Sequence, residues 1–293
     1  MIAQITAISA IILPVFLIVL SGYIYAKFEL PNMQVINKMI LQLFVPALVF
    51  SVMSSKDFEI AIYSKLALVA MIVVIITGVI SYGIAKLFHY NWKTFIPPMM
   101  FKNWGNLGIP LIVFSFGNEA LNAAVILFLA GNVVHFTIGI ILMSGRFNVV
   151  EFLKTPVIVA MFLGLFANLI EWQVPVFLFR PIEMLGQAAI PLMLVSLGVR
   201  LKHVFWNDLP MALTASIIGP VIGLITAYFC ATAIGLDAIQ TKQVLIFGAL
   251  PPAVVNYMFA EKYDLEPDKV ASIVLVSNMM SIAVYFLLLY FII

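Results

Sequence analysis

Gln42-Leu43-Phe44-Val45-Pro46-Ala47-Leu48-Val49-Phe50-Ser51 is answered in the second half of the chain by Gln187-Ala188-Ala189-Ile190-Pro191-Leu192-Met193-Leu194-Val195-Ser196. Gln, Pro and Ser keep their spacing, and both stretches lie in apolar runs. Two further pairs follow in the same order. Lys102-Asn103-Trp104-Gly105-Asn106 faces Pro251-Pro252-Ala253-Val254-Val255-Asn256, and Gly131-Asn132 faces Ser277-Asn278. The offset is 145 residues for the first pair, about 149 for the second and 146 for the third. Any one match is weak, because Pro and Asn are common in membrane helices. Three in one order indicate an internal duplication.

The unit being duplicated is a set of membrane crossings. A helix needs about 20 mostly apolar residues to cross the hydrocarbon layer. Such runs lie near residues 5–26, 35–53, 65–88, 95–116, 120–143, 156–171, 182–199, 210–234, 242–260 and 269–292, the sixth being the shortest. The expected fold is an all-α integral membrane protein with ten transmembrane helices. Five crossings per half turn the second half upside down, as in many secondary transporters. The first repeat is 1–143, a connector follows at 144–155, and the second repeat is 156–293.

Composition agrees. Of 293 residues 64% are hydrophobic and 10% charged, against roughly 25% charged in a soluble domain. A net charge of +2 gives no hint of nucleic acid. Cys230 is alone, which excludes a disulfide framework or a CxxC pair within the chain. His89, His135 and His203 have no metal-ligand spacing. No phosphate loop of the GxxxxGK[ST] type is present, so ATP does not drive the protein directly, and no HExxH or GxSxG points to an enzyme. No cofactor is expected. Met1 to Thr6 lacks a basic segment, and the run from Ile5 to Ala26 is too long for a signal core. It is read as the first crossing.

Basic residues set the orientation. Lys27, Lys38, Lys86, Lys93, Arg146, Lys154, Arg200, Lys202, Lys262 and Lys269 fall in the odd-numbered gaps. Lys56, Lys65, Arg180 and Lys242 fall in the even-numbered ones. The imbalance puts both termini on the extracytoplasmic side.

Helical continuity is expected to fail in the fourth and ninth runs. Pro97, Pro98, Gly105, Gly108 and Pro110 crowd the fourth, and Pro251 and Pro252 sit in the middle of the ninth. Proline removes a backbone donor and clashes with the preceding turn. Broken backbone at membrane depth is tolerated only against protein or a wet cavity. Two broken helices at matching repeat positions point to a binding site, where simple proline kinks would not. Each break opens the amino end of a half-helix, whose partial positive charge suits an anion. Asn103, Asn106 and Asn256 add donors there. Asn132 and Asn278 are read equally as further lining or as glue between helices.

Lys102 is the one charged residue placed deep in a crossing, a functional position by default. It can pair with an anion, or stand as a fixed charge where other carriers bind a cation. The plainer roles are capping of half-helix carbonyls and snorkelling to water. His135 titrates near neutral pH in water, although hydrogen bonding to a helix neighbour is the simpler reading. No Asp or Glu lies deep in any run, which argues against a cation substrate.

The stretch Asn103-Trp-Gly-Asn-Leu-Gly108-Ile-Pro110-Leu111 resembles the Asn-x4-Gly-Ile-Pro-Leu signature in span four of the auxin efflux carrier family. That family includes the plant PIN-FORMED carriers and many bacterial relatives. Ala249-Leu250-Pro251, Phe259-Ala260-Glu261-Lys262-Tyr263 and Pro267-Asp268 resemble its ninth span and the following loop. The likeness covers the whole chain, without the long cytoplasmic insert of many plant members. It implies crossing helices four and nine, a homodimer, and an elevator movement of a transport domain against a scaffold. It also implies organic-anion substrates: auxin in plants, and small carboxylates such as malate or malonate in bacterial relatives. Lys102 stands where the plant carriers have a proline, and Asn256 where they have a second one.

The expected function is therefore a carrier for a small organic anion. Lys102, Asn103, Asn106, Pro251, Pro252 and Asn256 line its site. Pro46, Ser51, Pro191 and Ser196 are neighbours, and Asn132, His135 and Asn278 are possible further lining. A sodium-coupled symporter of the bile-acid type shares the ten-helix plan, but sodium wants several oxygen ligands and Lys102 would repel it. A non-transporting receptor or subunit would need a partner-facing domain, for which no loop is long enough.

Overall fold

Residues 2–29, 32–200 and 209–292 are described in a computed structural model. Lys202 and the side chain of Arg200, both counted above, lie outside the described residues. The helices, in chain order, begin with α1 (Ile2–Phe28) and α2 (Met33–Met39), which runs through a π-turn at Ile40–Phe44 into α3 (Val45–Met53). Next come α4 (Ile60–Leu87), α5 (Trp92–Met100), a π-turn at Trp104–Gly108 and α6 (Ile109–Phe116). A short 3₁₀ turn leads into α7 (Leu121–Val134), which passes through a π-turn at His135–Gly139 into α8 (Ile140–Ser144). The rest are α9 (Val149–Leu153), α10 (Pro156–Leu169), α11 (Val176–Arg200), α12 (Leu209–Ile234), α13 (Ala238–Ala249), α14 (Val255–Lys262) and α15 (Pro267–Ile292).

Seven stretches among the described residues are long and apolar enough to cross a membrane. The other three expected crossings fall short for visible reasons. α10 has 14 residues, about 21 Å of helix against about 30 Å of hydrocarbon. The fourth and ninth runs are each cut in two. Elsewhere helices overrun the apolar runs: α4 starts at Ile60 and α11 at Val176. Hydropathy follows the apolar stretch alone, whereas these helices run on past it and include Lys65 and Arg180.

Two of the π-turns share a cause. Pro46 and Pro110 each sit at the start of the helix that follows one. A proline lacks the N–H of a normal turn and crowds the carbonyl four residues back. Widening the preceding turn makes room, and the amides of Val45 and Ile109 reach back to Ile40 and Trp104 carbonyls.

The packing has a recurrent plan. α4 packs on α5 and α7, and α12 packs on α13 and α15. α6 lies on α7 as α14 lies on α15, while α4 and α12 touch each other. α1, α3, α10 and α11 form a second set, with α1 on α11 and α3 on both α10 and α11, and it meets the first set where α1 touches α6 and α15. α12 and α13 come into backbone contact at Gly223 and Gly248: a Cβ on Gly223 would stand 1.8 Å from the Gly248 carbonyl oxygen. Helices also end alike. α4 is followed by His89 at φ 57° and α12 by Gly235 at φ 74°. Gly117 at φ 84° follows α6, and Asp264 at φ 53° comes shortly after α14. His and Asp are among the few non-glycine residues that tolerate positive φ.

The paired helix breaks

The ninth run breaks where proline chemistry dictates. A residue before proline is pushed out of the helical region, and Leu250, before Pro251, sits at φ −57°, ψ 146°. The fourth run breaks differently. Pro97 and Pro98, two of the five residues expected to interrupt the run, are buried inside α5. The chain leaves the helix only at Phe101, with φ −96°, ψ 93°. It departs there to pair with the other break.

That pairing supplies the hydrogen bonds the helices lose. Lys102 and Pro252 form an isolated antiparallel bridge. The Asn103 amide donates to the Pro251 carbonyl at 2.8 Å, and the Ala253 amide donates to the Phe101 carbonyl at 3.0 Å. Asn256 Nδ2 donates to the carbonyls of Phe101 at 2.7 Å and Ala253 at 2.8 Å. Asn278 Nδ2, from α15, donates to Pro252 at 3.1 Å and Val274 at 2.7 Å. Beyond the first break, the Trp104 amide turns back to the Lys102 carbonyl, and Leu107 and Gly108 amides share the Asn103 carbonyl.

Several buried polar atoms at the breaks remain unsatisfied among the described residues: Lys102 Nζ, Asn103 Nδ2, Trp104 Nε1, Asn256 Oδ1 and Asn278 Oδ1. The two asparagine orientations are forced. Each Nδ2 spends its hydrogens on two carbonyls, so a flipped amide would set oxygen against oxygen. Three donors and two acceptors are thus left over. Lys102 is only 4% exposed. Its Nζ lies beside Gly219 on α12, 3.2 Å from where a Cβ would be. No Asp or Glu is among the buried side chains described.

The remaining expected residues spread outward. Asn106 is half-buried, one turn into the half-helix. Asn132 donates to the Phe128 carbonyl of its own helix, a bond that joins no second helix. His135 Nε2 has no hydrogen-bond partner among the described residues. Its ring instead stacks on Phe101 at 4.2 Å and meets Phe259 edge-on at 5.3 Å. Ser51 donates to the Leu48 carbonyl and Ser196 to Asn37 Oδ1, so neither hydroxyl bonds to the breaks. Pro46 opens α3, and Pro191 lies within α11. Met193, two residues beyond Pro191, is the side chain that reaches the break, 3.7 Å from where a Gly105 Cβ would be.

Sequence reasoning passed over Trp104 and Gly219. Trp104 is 4% exposed, stacks on Phe247 at 5.1 Å and covers Gly131. A tryptophan between Asn103 and Gly105 carries an indole N–H that needs a partner when buried, which was a usable signal. Gly219-Pro220, inside an otherwise apolar run, was another.

Outside the apolar core, Thr94 Oγ1 and Lys269 Nζ both donate to the Glu266 carboxylate, each at 2.5 Å, clamping α5 to the start of α15. The bonds from Lys269 and then Thr94 hold the Glu266 carboxyl below its ordinary range. A hollow of about 450 Å³ lies at the connector, lined among others by Ser144, Arg146, Glu151 and Tyr263. Tyr263 stacks on Phe259, so aromatic rings run from this hollow through His135 to Phe101.

Apolar helices in this number, packed around two broken runs that complete each other, define an integral, multi-pass membrane protein. The chain belongs to the membrane transport protein family, that of the auxin efflux carriers, which matches over residues 7–151 and 145–290. It is 23% identical to an uncharacterized transporter of Methanocaldococcus jannaschii, over 94% of this chain and 95% of the relative. It is 26% identical to an uncharacterized transporter of Methanothermobacter thermautotrophicus, over 92% and 94%. A provisionally named malonate transporter of Rhizobium meliloti is 23% identical over 97% and 96%.

Proposed function

We propose that this protein is a secondary carrier for a small organic anion, bound where the two helix breaks meet. The observation that carries the reading is the set of buried, unpartnered donors at the first break, Lys102 Nζ, Asn103 Nδ2 and Trp104 Nε1, with no buried carboxylate described to answer them. Buried polar groups without partners are rare and call for an explanation. A carboxylate brings the missing charge and acceptor oxygens. Asn256 Oδ1 and Asn278 Oδ1 offer acceptors for an O–H or N–H elsewhere on the same anion. No buried carboxylate is described at this place to ligate a sodium ion. The relative named provisionally for malonate transport is in keeping with a small dicarboxylate.

The architecture in this reading is ten crossings in two inverted repeats, 1–143 and 156–293, joined by the connector 144–155. The recurrence of α4, α5 and α7 packing in α12, α13 and α15 supports it. So do the matching left-handed residues His89 and Gly235, 146 positions apart like Asn132 and Asn278. α1, α3, α10 and α11 make the scaffold of a homodimer, and the broken-helix set moves against it. With both termini extracytoplasmic, the hollow beside Arg146 opens toward the cytoplasm.

The test is thermal stabilisation of the purified protein by malate, malonate, citrate, indole-3-acetate and a bile acid, each with and without sodium. A ligand that binds only the folded state raises its melting temperature. A shift with one carboxylate, independent of sodium, is expected. A shift that requires sodium would replace this reading with a sodium symporter.

A further inference from the structure

We infer that Lys102 is neutral in the empty carrier and takes up one proton as the anion binds, so that each bound anion is accompanied by a proton. The inference rests on the anion reading above and adds its coupling. Three observations lead to it. Lys102 cannot withdraw, because its backbone is bridged to Pro252 and the next amide is bonded to Pro251. Its side chain is buried, and Nζ has no hydrogen-bond partner among the described residues. Its neighbours at Gly219 are apolar: the Met99 sulfur is the next atom there, at 3.4 Å from the same Cβ position.

Nor does a counter-ion come from the elements packed around it. α4, α8, α12, α14 and α15 contact α5. Their charged residues are Lys65, Lys86, Glu261, Lys262, Asp268 and Lys269, each exposed or half-exposed toward a helix end. α8 and α12 contribute no charged residue among those described. The other titratable side chains of these elements are tyrosines and Cys230, none of them a carboxylate. One further titratable ring, His135, stacks on Phe101, next to Lys102 in sequence.

An ammonium ion buried without a partner is expensive, and such a group sheds its proton instead. A carboxylate arriving beside the amine reverses the balance, because the ion pair holds both charges. The net step is amine, proton and anion combining into an ammonium–carboxylate pair. No covalent bond changes, and on release the amine returns the proton to water on the side it then faces. A monoanion therefore crosses without net charge, and a dianion with one negative charge.

Binding of malonate to the purified carrier would be measured calorimetrically near pH 8, in two buffers of different ionisation enthalpy. Uptake close to one proton per malonate is expected. The affinity should fall about tenfold per pH unit through the alkaline range, where the free amine has lost its proton. In Lys102→Arg the guanidinium is always charged, so binding should proceed without proton uptake and with an affinity independent of pH. In Lys102→Gln binding should weaken and proton uptake should disappear. Malonate binding without proton uptake in the wild-type protein would overturn the inference and leave the anion carrier standing. Uptake that persists in Lys102→Gln would also overturn it, placing the proton elsewhere. If neither malonate nor any other carboxylate of the panel binds, the anion reading falls and this inference falls with it.

Discussion

Asn256 donates its side-chain amide to the carbonyl oxygen of Phe101 across 2.7 Å, and in doing so joins the second helix break to the first. The same nitrogen holds the Ala253 carbonyl of its own segment. One buried residue thus fixes the shape of one break and its attachment to the other. Asn256→Ala removes both bonds and is expected to cost about 1–3 kcal/mol, a fall in melting temperature of about 2–4 °C for each kcal/mol in a protein of this size. Asn256→Asp keeps the size but turns an oxygen toward two carbonyls, and should be worse than Ala. An Asp variant as stable as the parent in a thermal melt would show that the amide points the other way.

Asn103 tests the site itself. Its backbone amide is committed to Pro251, but its Nδ2 is free for an anion. Asn103→Ala keeps the backbone bond, so the protein should remain folded in the membrane. Loss of one hydrogen bond to a charged group corresponds to about 1.5–3 kcal/mol, or roughly 10- to 150-fold in affinity. Unchanged anion binding, read by calorimetry, would remove Asn103 from the site.

Gly223 and Gly83 make a matched pair in equivalent chemistry and opposite surroundings. Ala at Gly223 drives a methyl into the Gly248 backbone and should destabilise by about 1–3 kcal/mol. Gly83, inside α4, has nothing within 4 Å of its Cβ position, so Ala there should stabilise by about 0.5–1 kcal/mol through helix propensity. The two melting temperatures should move in opposite directions. Movement the same way would mean that α12 and α13 do not touch as described.

The Glu266 clamp gives a pH dependence. Its carboxyl titrates below the ordinary value of 4.5, so it binds fewer protons folded than unfolded. The stability it contributes is present above about pH 4.5 and is lost as the pH falls through its lower, folded value. Glu266→Gln should flatten that part of the acid limb in a melting series from neutral to about pH 3. An acid limb identical in both proteins would rule the clamp out as its cause.

How much of this was readable in advance depends on where each constraint resides. Pro251 and Pro252 break a helix by local sterics, and their break lies where the sequence placed it. The break at Phe101 to Asn103 has no such local cause. It exists because residues about 150 positions later bond to it, and no window of sequence contains both partners. The prolines and glycines drew attention to the right run and Asn103 to the right place in it, although Pro97 and Pro98 stay inside α5. Asn278 was equally legible as lining or glue, because only the fold brings it to the Pro252 carbonyl. The stacking of His135 on Phe101 was out of reach for the same reason. Trp104, in contrast, was in plain view: its neighbours in sequence are its neighbours at the break.

The mutual dependence of the breaks also bears on how the chain is made. When the first half leaves the ribosome and enters the bilayer, the Phe101 carbonyl and the Asn103 amide have no partners. Residues 251–256 follow roughly 7–30 s later at ordinary rates of synthesis. For that interval the nascent protein carries an open backbone gap and a lysine in an apolar setting, and must shelter them at the translocon or against lipid headgroups. Translation speed over the second half thus becomes part of the folding problem. Ribosome pausing between residues 110 and 250 would lengthen the exposure, and with it the window in which quality-control proteases can act.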